Sequence, residues 1–181
     1  MASKAKHIHA PLIEGCRRGD PKAQYEIYKL YSKAMLNTSL RITGNLAEAE
    51  DVLQESFLDA FTKIDSYRGD ASFGAWLKRI VVNKSINALQ RKKVDLVSLN
   101  GVEKADVEVT REEPEYSIES IKRAVDQLPD GYRVVFSLYL MEGYDHQEIA
   151  NLLGISVSGS KSQLNRAKRK VREILNAKSY V

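Results

Sequence analysis

Residues 145–172 read DHQEIANLLGISVSGSKSQLNRAKRKVR, and their pattern guides the interpretation of the whole chain. Asp145 and Glu148 have the spacing of a capping box at the start of a short helix. Gly154 supplies the left-handed residue that ends this helix, and Ser156 can cap the next one. A capped helix, a tight glycine turn and a basic second helix are typical of a helix-turn-helix, whose second helix enters the major groove of DNA.

The second helix of this motif has one apolar side, formed by Leu164, Ala167 and Val171 at helical spacing. Gln and Asn side chains pair with adenine edges, whereas Lys and Arg contact guanine or phosphate. The polar positions that surround the apolar side are Lys161, Ser162, Gln163, Asn165, Arg166, Lys168, Arg169 and Lys170. A basic amphipathic helix by itself can be a solvated surface. The DNA-binding prediction therefore rests on the helix together with the turn before it.

Length and composition describe a soluble globular chain. Its 181 residues suffice for one ordinary domain or two small ones, and 43% are hydrophobic and 29% charged. No apolar run approaches the length of a membrane span, and the N-terminus lacks a signal-peptide core, so we expect a cytoplasmic protein without membrane insertion. A single cysteine, Cys16, agrees with a reducing compartment.

Charge is distributed in blocks, although the net charge is only +4. Residues 76–93 carry six basic residues and no acidic one, and residues 157–178 carry seven basic residues and one acidic one. Residues 94–119, which lie between them, hold eight acidic residues against two basic ones. This pattern favours two surfaces that face nucleic acid, joined by a segment that avoids phosphate.

A helix that starts at Asn45 has an acidic outer face. Its polar positions include Asp51, Gln54 and Glu55, and no basic residue occurs between Asn45 and Thr62. Two interpretations remain open at this point. The face can be a solvated acidic surface, or it can dock a basic partner.

Residues 66–76, SYRGDASFGAW, form a turn that leads into a basic helix capped by Ser72. An arginine and aromatic residues beside a basic helix suit single-stranded DNA, because aromatic rings stack on unpaired bases and cations follow the backbone. The alternative is that Phe73 and Trp76 are core residues, since aromatic residues at helical spacing mostly pack inside.

We expect an all-α fold of two small helical domains joined by a flexible acidic linker. The predicted boundaries are an N-terminal domain at 1–93, a linker at 94–113 and a helix-turn-helix domain at 114–181. Residues 1–19 are poorly patterned and predict a frayed terminus. No phosphate-binding glycine loop, nucleophile elbow or metal-ligand spacing is evident, so we expect neither an enzyme nor a metal or other cofactor.

The chain resembles a bacterial RNA polymerase sigma factor of the extracytoplasmic-function group of the sigma-70 family, over about residues 20 to 175. The sequence AEDVLQESFLDAF at 49–61 is similar to the segment that binds core polymerase. The sequence FGAWLKRIVVNKSINALQRK at 73–92 is similar to the segment that recognises and melts the promoter minus-ten element. Residues 142–171 are similar to the segment that reads the minus-thirty-five element.

The resemblance implies a role for residues in each segment. The residues implied to bind polymerase are Asp51, Gln54 and Glu55, with Phe57 beneath them. Those implied to contact the minus-ten element are Tyr67, Arg68, Ser72, Phe73, Trp76, Arg79, Asn83 and Lys84. Those implied to contact the minus-thirty-five element are Ser158, Lys161, Ser162, Gln163, Asn165, Arg166 and Arg169.

The resemblance also implies partners: core RNA polymerase, promoter DNA and an anti-sigma factor. Gln163 stands where relatives often have arginine, and this difference bears on the promoter sequence rather than on the function. Two other functions remain as alternatives from the sequence. One is a free-standing helix-turn-helix regulator that binds duplex DNA without polymerase, and the other is an adaptor whose basic helices bind an acidic protein.

Overall fold

The computed structural model describes residues 8–92 and 116–178. The predicted linker at 94–113 lies outside these residues. Within the described ranges all regular structure is helical, which confirms the all-α prediction. The chain divides into two compact units, Met1–Lys92 and Lys93–Val181.

The first unit is built on three long helices, each of which begins directly after a capping residue. Its elements are α1 (Ala10–Arg17), α2 (Pro21–Thr43), α3 (Leu46–Thr62), a 3₁₀ turn (Ile64–Ser66) and α4 (Phe73–Arg91). The side chains of Asp20, Asn45 and Ser72 accept hydrogen bonds from the first turns of α2, α3 and α4, respectively. Gly44 ends α2 with φ +69°, a left-handed conformation that favours glycine.

Helix α1 corrects the prediction of a frayed terminus through residue 19. Ile13 and Cys16 of α1 are buried in the hydrophobic core of the unit. A Cβ atom on Gly15 would lie 2.6 Å from the Cβ atom of Ala23, so glycine permits the close approach of α1 to α2. Burial, together with the nearby carboxylate of Asp20, raises the pKa of the Cys16 thiol.

The core of the first unit lies among α2, α3 and α4, where Ile27, Leu77 and Val81 are fully buried. The hydroxyl oxygens of Ser85 and Ser39 lie 2.9 Å apart, and this hydrogen bond joins α4 to α2 inside the core. Positions 23, 27, 30, 31, 34, 38 and 42 of α2 have the helical spacing that predicts an inner face, but Leu30 and Ala34 are exposed.

The second unit contains α5 (Ile118–Val125), α6 (Asp130–Phe136), a π-helical turn (Ser137–Met141), α7 (His146–Leu153) and α8 (Val157–Lys178). Positions 132, 135, 136, 139 and 140 have apolar residues at helical spacing, which predicts one helix, but the helix changes its winding after Phe136. The predicted apolar positions Tyr139 and Leu140 are exposed on the wider π turn. Ile118, whose helical spacing with Ile121 and Val125 predicts an inward position, is also exposed at the start of α5.

Candidate nucleic-acid interface

The helix-turn-helix formed by α7 and α8 has the predicted caps and the predicted glycine turn. Asp145 Oδ1 accepts from the Glu148 amide at 2.8 Å, and the Glu148 carboxylate accepts from the Asp145 amide at 2.9 Å, so the capping box is complete. Gly154 has φ +67° and ends α7. Ser156 Oγ accepts from the Gly159 amide at 2.9 Å and caps the first turn of α8.

The inner side of α8 packs on the rest of its unit. Leu164, Ala167 and Val171 are buried, as their spacing predicted. Ser160, on the same side, is fully buried, and its hydroxyl lies 2.9 Å from Nδ1 of His146. The His146 ring in turn stacks on Tyr139 with 4.5 Å between centroids. These contacts fix the start of α8 against α7.

The outer side of α8 presents most of the predicted DNA-contacting residues. Ser158, Lys161, Ser162 and Asn165 are exposed. Arg166 and Arg169 are half-buried.

The placement of Gln163 on this outer side is corrected. Its side chain is only 8% exposed, so the described structure does not present it to a duplex. The reason is helical phase: positions 160, 163, 164 and 167 fall on one side of the helix, and all four residues there are buried.

The outer face of α3 presents Asp51, Gln54 and Glu55 to solvent. Phe57 is buried beneath this face, and its ring lies 4.8 Å from the ring of Tyr28, between centroids. We call the surface of Asp51, Gln54 and Glu55 the acidic face of α3.

Lys84 of α4 pairs with Glu55 of the acidic face of α3 and with Asp59, one helical turn further along α3. Its Nζ atom is 3.2 Å from Asp59 Oδ2 and 3.5 Å from Glu55 Oε2. Hydrogen bonds from Lys84 and then from Lys63 hold the pKa of Asp59 below its ordinary value of 3.8. In this structure the ammonium group of Lys84, which the resemblance implies contacts minus-ten DNA, is paired with carboxylates of α3. Because the ammonium group of Lys84 lies beside Glu55, the acidic face of α3 is less uniformly acidic than the sequence of α3 alone suggests.

The aromatic residues around the loop before α4 form one packed cluster. Tyr67 and Phe73 are 4% and 3% exposed, with an edge-to-face contact of 5.4 Å between ring centroids. The half-buried ring of Trp76 lies 5.4 Å from each of them. The structure thus supports the core-packing interpretation, because Tyr67 and Phe73, which the resemblance implies contact the minus-ten element, are buried in this cluster. These two rings support the loop rather than offer a stacking surface.

Polar residues of the loop and of α4 remain on the surface. Arg68, Ser72, Arg79 and Asn83 are exposed. The Ser72 hydroxyl also accepts from the Ala75 amide at 3.2 Å, so this residue caps α4. The loop and the start of α4 therefore form an exposed polar rim over the aromatic cluster.

One polar contact to this loop was not anticipated from the sequence. Nη2 of Arg17 in α1 donates to the Tyr67 carbonyl oxygen at 2.8 Å, across fifty positions of the chain. No local pattern could have indicated this pairing, because it depends on how α1 packs.

Two further results concern the residues that the structure describes. In 8–92 and 116–178, no cluster of three or more His, Cys, Asp or Glu side chains is arranged to hold a metal ion. None of the helices in these two ranges combines the length and apolarity that a membrane crossing requires.

Comparisons with known proteins agree with this geometry. The family model described as Sigma-70 region 2 matches residues 27–94, and the one described as Sigma-70, region 4 matches residues 118–171. The ECF RNA polymerase sigma factor SigW of Bacillus subtilis is 30% identical over 176 residues, which cover 90% of this chain and 94% of SigW. The RNA polymerase sigma-H factor of Pseudomonas aeruginosa is 29% identical over 185 residues, with 91% and 92% covered.

The fold is also similar to a solved structure. The sigma factor RpoE from Bartonella quintana, in a crystal structure with the anti-sigma factor NepR, matches with a TM-score of 0.54 at 21% identity. The match covers 84% of this chain and 96% of that one.

A sigma-70 region matches in each of the two helical units, and the second unit contains a helix-turn-helix. Together these features define a transcription initiation factor. The chain belongs to the extracytoplasmic-function group of the sigma-70 family. Its function is that of a sigma factor, namely promoter-specific initiation of transcription with RNA polymerase.

Proposed function

We propose that the two units divide the work of promoter recognition. Residues 1–93 bind core polymerase and the minus-ten element, residues 94–113 act as a linker, and residues 114–181 bind the minus-thirty-five element. The observation that carries this proposal is the capped helix-turn-helix with an exposed basic α8, which lies in a different compact unit from the loop and α4. The matches to region 2 and region 4 in the same order support it.

The acidic face of α3 docks polymerase in this proposal. Asp51, Gln54 and Glu55 are exposed on one side of a helix that is held in place by the buried ring of Phe57. Exposed carboxylates steer association with a basic partner and help to fix its orientation. The glutamine amide adds a hydrogen-bonding group that is not weakened by salt.

The loop before α4 captures a base of the minus-ten element. A captured base loses its stacking and pairing, at a cost of a few kcal/mol. Arg68 and Ser72 in the loop, with Arg79 and Asn83 along α4, supply exposed polar contacts that offset this cost. Tyr67, Phe73 and Trp76 hold the shape of the loop from beneath.

Helix α8 reads the minus-thirty-five element in the major groove. Lys161, Arg166 and Arg169 provide positive charge, whereas Asn165 can pair with an adenine edge. Ser158 and Ser162 are exposed near the start of the helix, where the backbone amides also favour a phosphate.

We further infer three general properties. The chain performs no catalytic step, because polymerase forms the phosphodiester bonds. It acts in the cytoplasm, where bacterial polymerase works. An anti-sigma factor binds it, as NepR binds RpoE in the solved structure of similar fold.

A crosslinking experiment tests the division of labour. A photoreactive amino acid replaces Lys161 in one variant and Arg68 in another, and each variant is assembled with core polymerase on a promoter fragment. We expect Lys161 to crosslink to the upstream element and Arg68 to the downstream element. Crosslinks in the opposite positions, or from both residues to one element, would contradict the proposal.

A further inference from the structure

Arg17 at the end of α1 holds the beginning of the loop that precedes α4. Its Nη2 atom donates to the Tyr67 carbonyl oxygen at 2.8 Å. On its other side, Nη1 lies 3.3 Å from Glu14 Oε2, and Nε lies 4.0 Å from Asp65 Oδ1. The guanidinium group is thus oriented by two carboxylates while it bonds the backbone of the loop.

A second bond fixes the other end of the same loop. The Tyr67 hydroxyl donates to the Ala71 carbonyl oxygen at 2.8 Å. The Tyr67 ring cannot swing away from this position, because it is 4% exposed and packs edge-to-face on Phe73. Residues 68–70, between the two bonded carbonyl groups, therefore form a short span with both ends held.

Apolar contacts, in addition to the bond from Arg17, attach α1 to the unit. Ile13 and Cys16 are buried in the core, and Gly15 packs closely on Ala23 of α2. These apolar contacts account for the docking of α1. The guanidinium group of Arg17 is instead directed at the loop, which is the part of the unit that we propose to capture a base.

We propose that Arg17 is a positioning residue for base capture. It acts through the Tyr67 carbonyl group and keeps the loop in the conformation that accepts an unpaired base. The inference rests on the proposed function of this loop and adds a residue of α1 to the elements that determine selectivity for the minus-ten element. Preorganisation of this kind favours the correct ligand because the loop does not have to be ordered at the moment of binding.

The test measures base selectivity with the full chain assembled on core polymerase. The probe is a single-stranded oligonucleotide with the non-template minus-ten sequence of a promoter that the holoenzyme transcribes. A second set of oligonucleotides has each base of that element replaced in turn. The selectivity ratio is the affinity for the unmodified probe divided by the affinity for each replaced probe.

We expect Arg17→Ala to lower the largest selectivity ratio by about tenfold, because a hydrogen bond from a charged donor has this order of effect. Arg17→Lys retains a donor and a positive charge, and it should recover part of the ratio. Arg18→Ala is the matched control, since it removes the same charge from the next position, whose guanidinium contacts Glu14 at 3.7 Å. It should leave the ratio unchanged.

Tyr67→Phe provides a second variant that keeps the ring in the aromatic cluster. It removes the donor to the Ala71 carbonyl oxygen, so we expect the same loss of selectivity. This variant decides the question if Arg17→Ala does not fold, as thermal melting would show.

Two results would overturn the inference in distinguishable ways. If wild-type holoenzyme is selective and both Arg17→Ala and Tyr67→Phe retain that selectivity, the positioning role is wrong and the proposed function of the loop stands. If the wild-type holoenzyme shows no base selectivity on any replaced probe, the function of the loop is wrong and the inference fails with it.

Discussion

The ammonium group of Lys84 lies 3.2 Å from the carboxylate of Asp59 and joins α4 to α3. The same nitrogen lies 3.5 Å from Glu55, one of the residues that we propose to dock polymerase. The helix proposed to contact DNA is therefore tied by ion pairs to the helix proposed to bind the enzyme. A substitution that removes one partner of these ion pairs is therefore expected to leave an unpaired charge on the surface of the other helix.

Replacement of Lys84 tests the contribution of this ion pair to stability. Lys84→Met should lower the free energy of unfolding at pH 7 by about 0.5 kcal/mol, as is usual for partly exposed pairs. Because the pair lowers the pKa of Asp59 below 3.8, its stabilisation is present above that value and disappears as the pH falls through the lowered pKa. Urea unfolding of the wild type and of Lys84→Met, at pH 7 and in acid, measures the difference in their free energies of unfolding. A difference that is the same in acid as at pH 7 would contradict a stabilising ion pair between Lys84 and Asp59.

Charge reversal on the acidic face of α3 tests polymerase docking. Asp51→Lys should weaken binding to core polymerase more than tenfold, because it places a cation against a basic partner. Glu55→Lys should do the same, although it also brings a second cation close to Lys84. Co-elution with core polymerase is the measurement.

A matched control is available for this test on α2. Glu26→Lys makes the same charge change at a partly exposed position, where Glu26 pairs with Lys29 at 3.1 Å. It should co-elute normally. Normal co-elution of Asp51→Lys as well would remove the acidic face from the polymerase interface.

Alanine substitutions in α8 test the reading of the minus-thirty-five element. Lys161→Ala and Arg166→Ala should each cost about 1–3 kcal/mol of duplex binding, while binding to core polymerase stays intact. Lys122→Ala, at an exposed position of α5 in the same unit, serves as the control. Titration of a labelled promoter duplex gives the affinities. Equal losses of duplex binding and polymerase binding would contradict the assignment.

Substitution of Gln163 distinguishes the buried position that the structure shows from the DNA contact that the family resemblance implies. Because its side chain is buried, Gln163→Ala should lower the free energy of unfolding by about 1 kcal/mol. The base preferences at the minus-thirty-five element should not change. Selection from a randomised duplex library measures those preferences, and a changed preference would show that Gln163 turns outward on binding.

Phe73 and Arg79 separate support of the loop from contact with DNA. Phe73→Ala should lower the free energy of unfolding by about 3–5 kcal/mol, because it removes one ring from the aromatic cluster and leaves a cavity. Arg79→Ala, at an exposed position, should change stability by less than about 0.5 kcal/mol but weaken binding of single-stranded DNA. Thermal unfolding and oligonucleotide binding distinguish the two effects. The assignment is wrong if Arg79→Ala binds single-stranded DNA as tightly as the wild type.

The helix starts were predictable because they depend on residues a few positions apart. Asp20, Asn45, Ser72 and Asp145 each accept a hydrogen bond from an amide two or three residues later. The turn at Gly154 is equally local. The family resemblance followed from segments of this kind in the correct order, and the comparisons confirm it.

The sequence could not reveal features that depend on packing. Helix α1 is short and contains Gly15, which lowers its intrinsic helix propensity, so its stability comes from contact with α2. The inward position of Gln163 follows from the phase of α8 against its own unit. The bond from Arg17 to Tyr67 and the pairing of Lys84 with α3 join residues far apart in the chain.

Run-off transcription tests the central claim most directly. Purified bacterial core polymerase is supplied, with and without this protein, with a pool of promoter fragments from the source genome. The account predicts specific transcripts that appear only with the protein. Absence of such transcripts, together with a failure to co-elute with core polymerase, would contradict it.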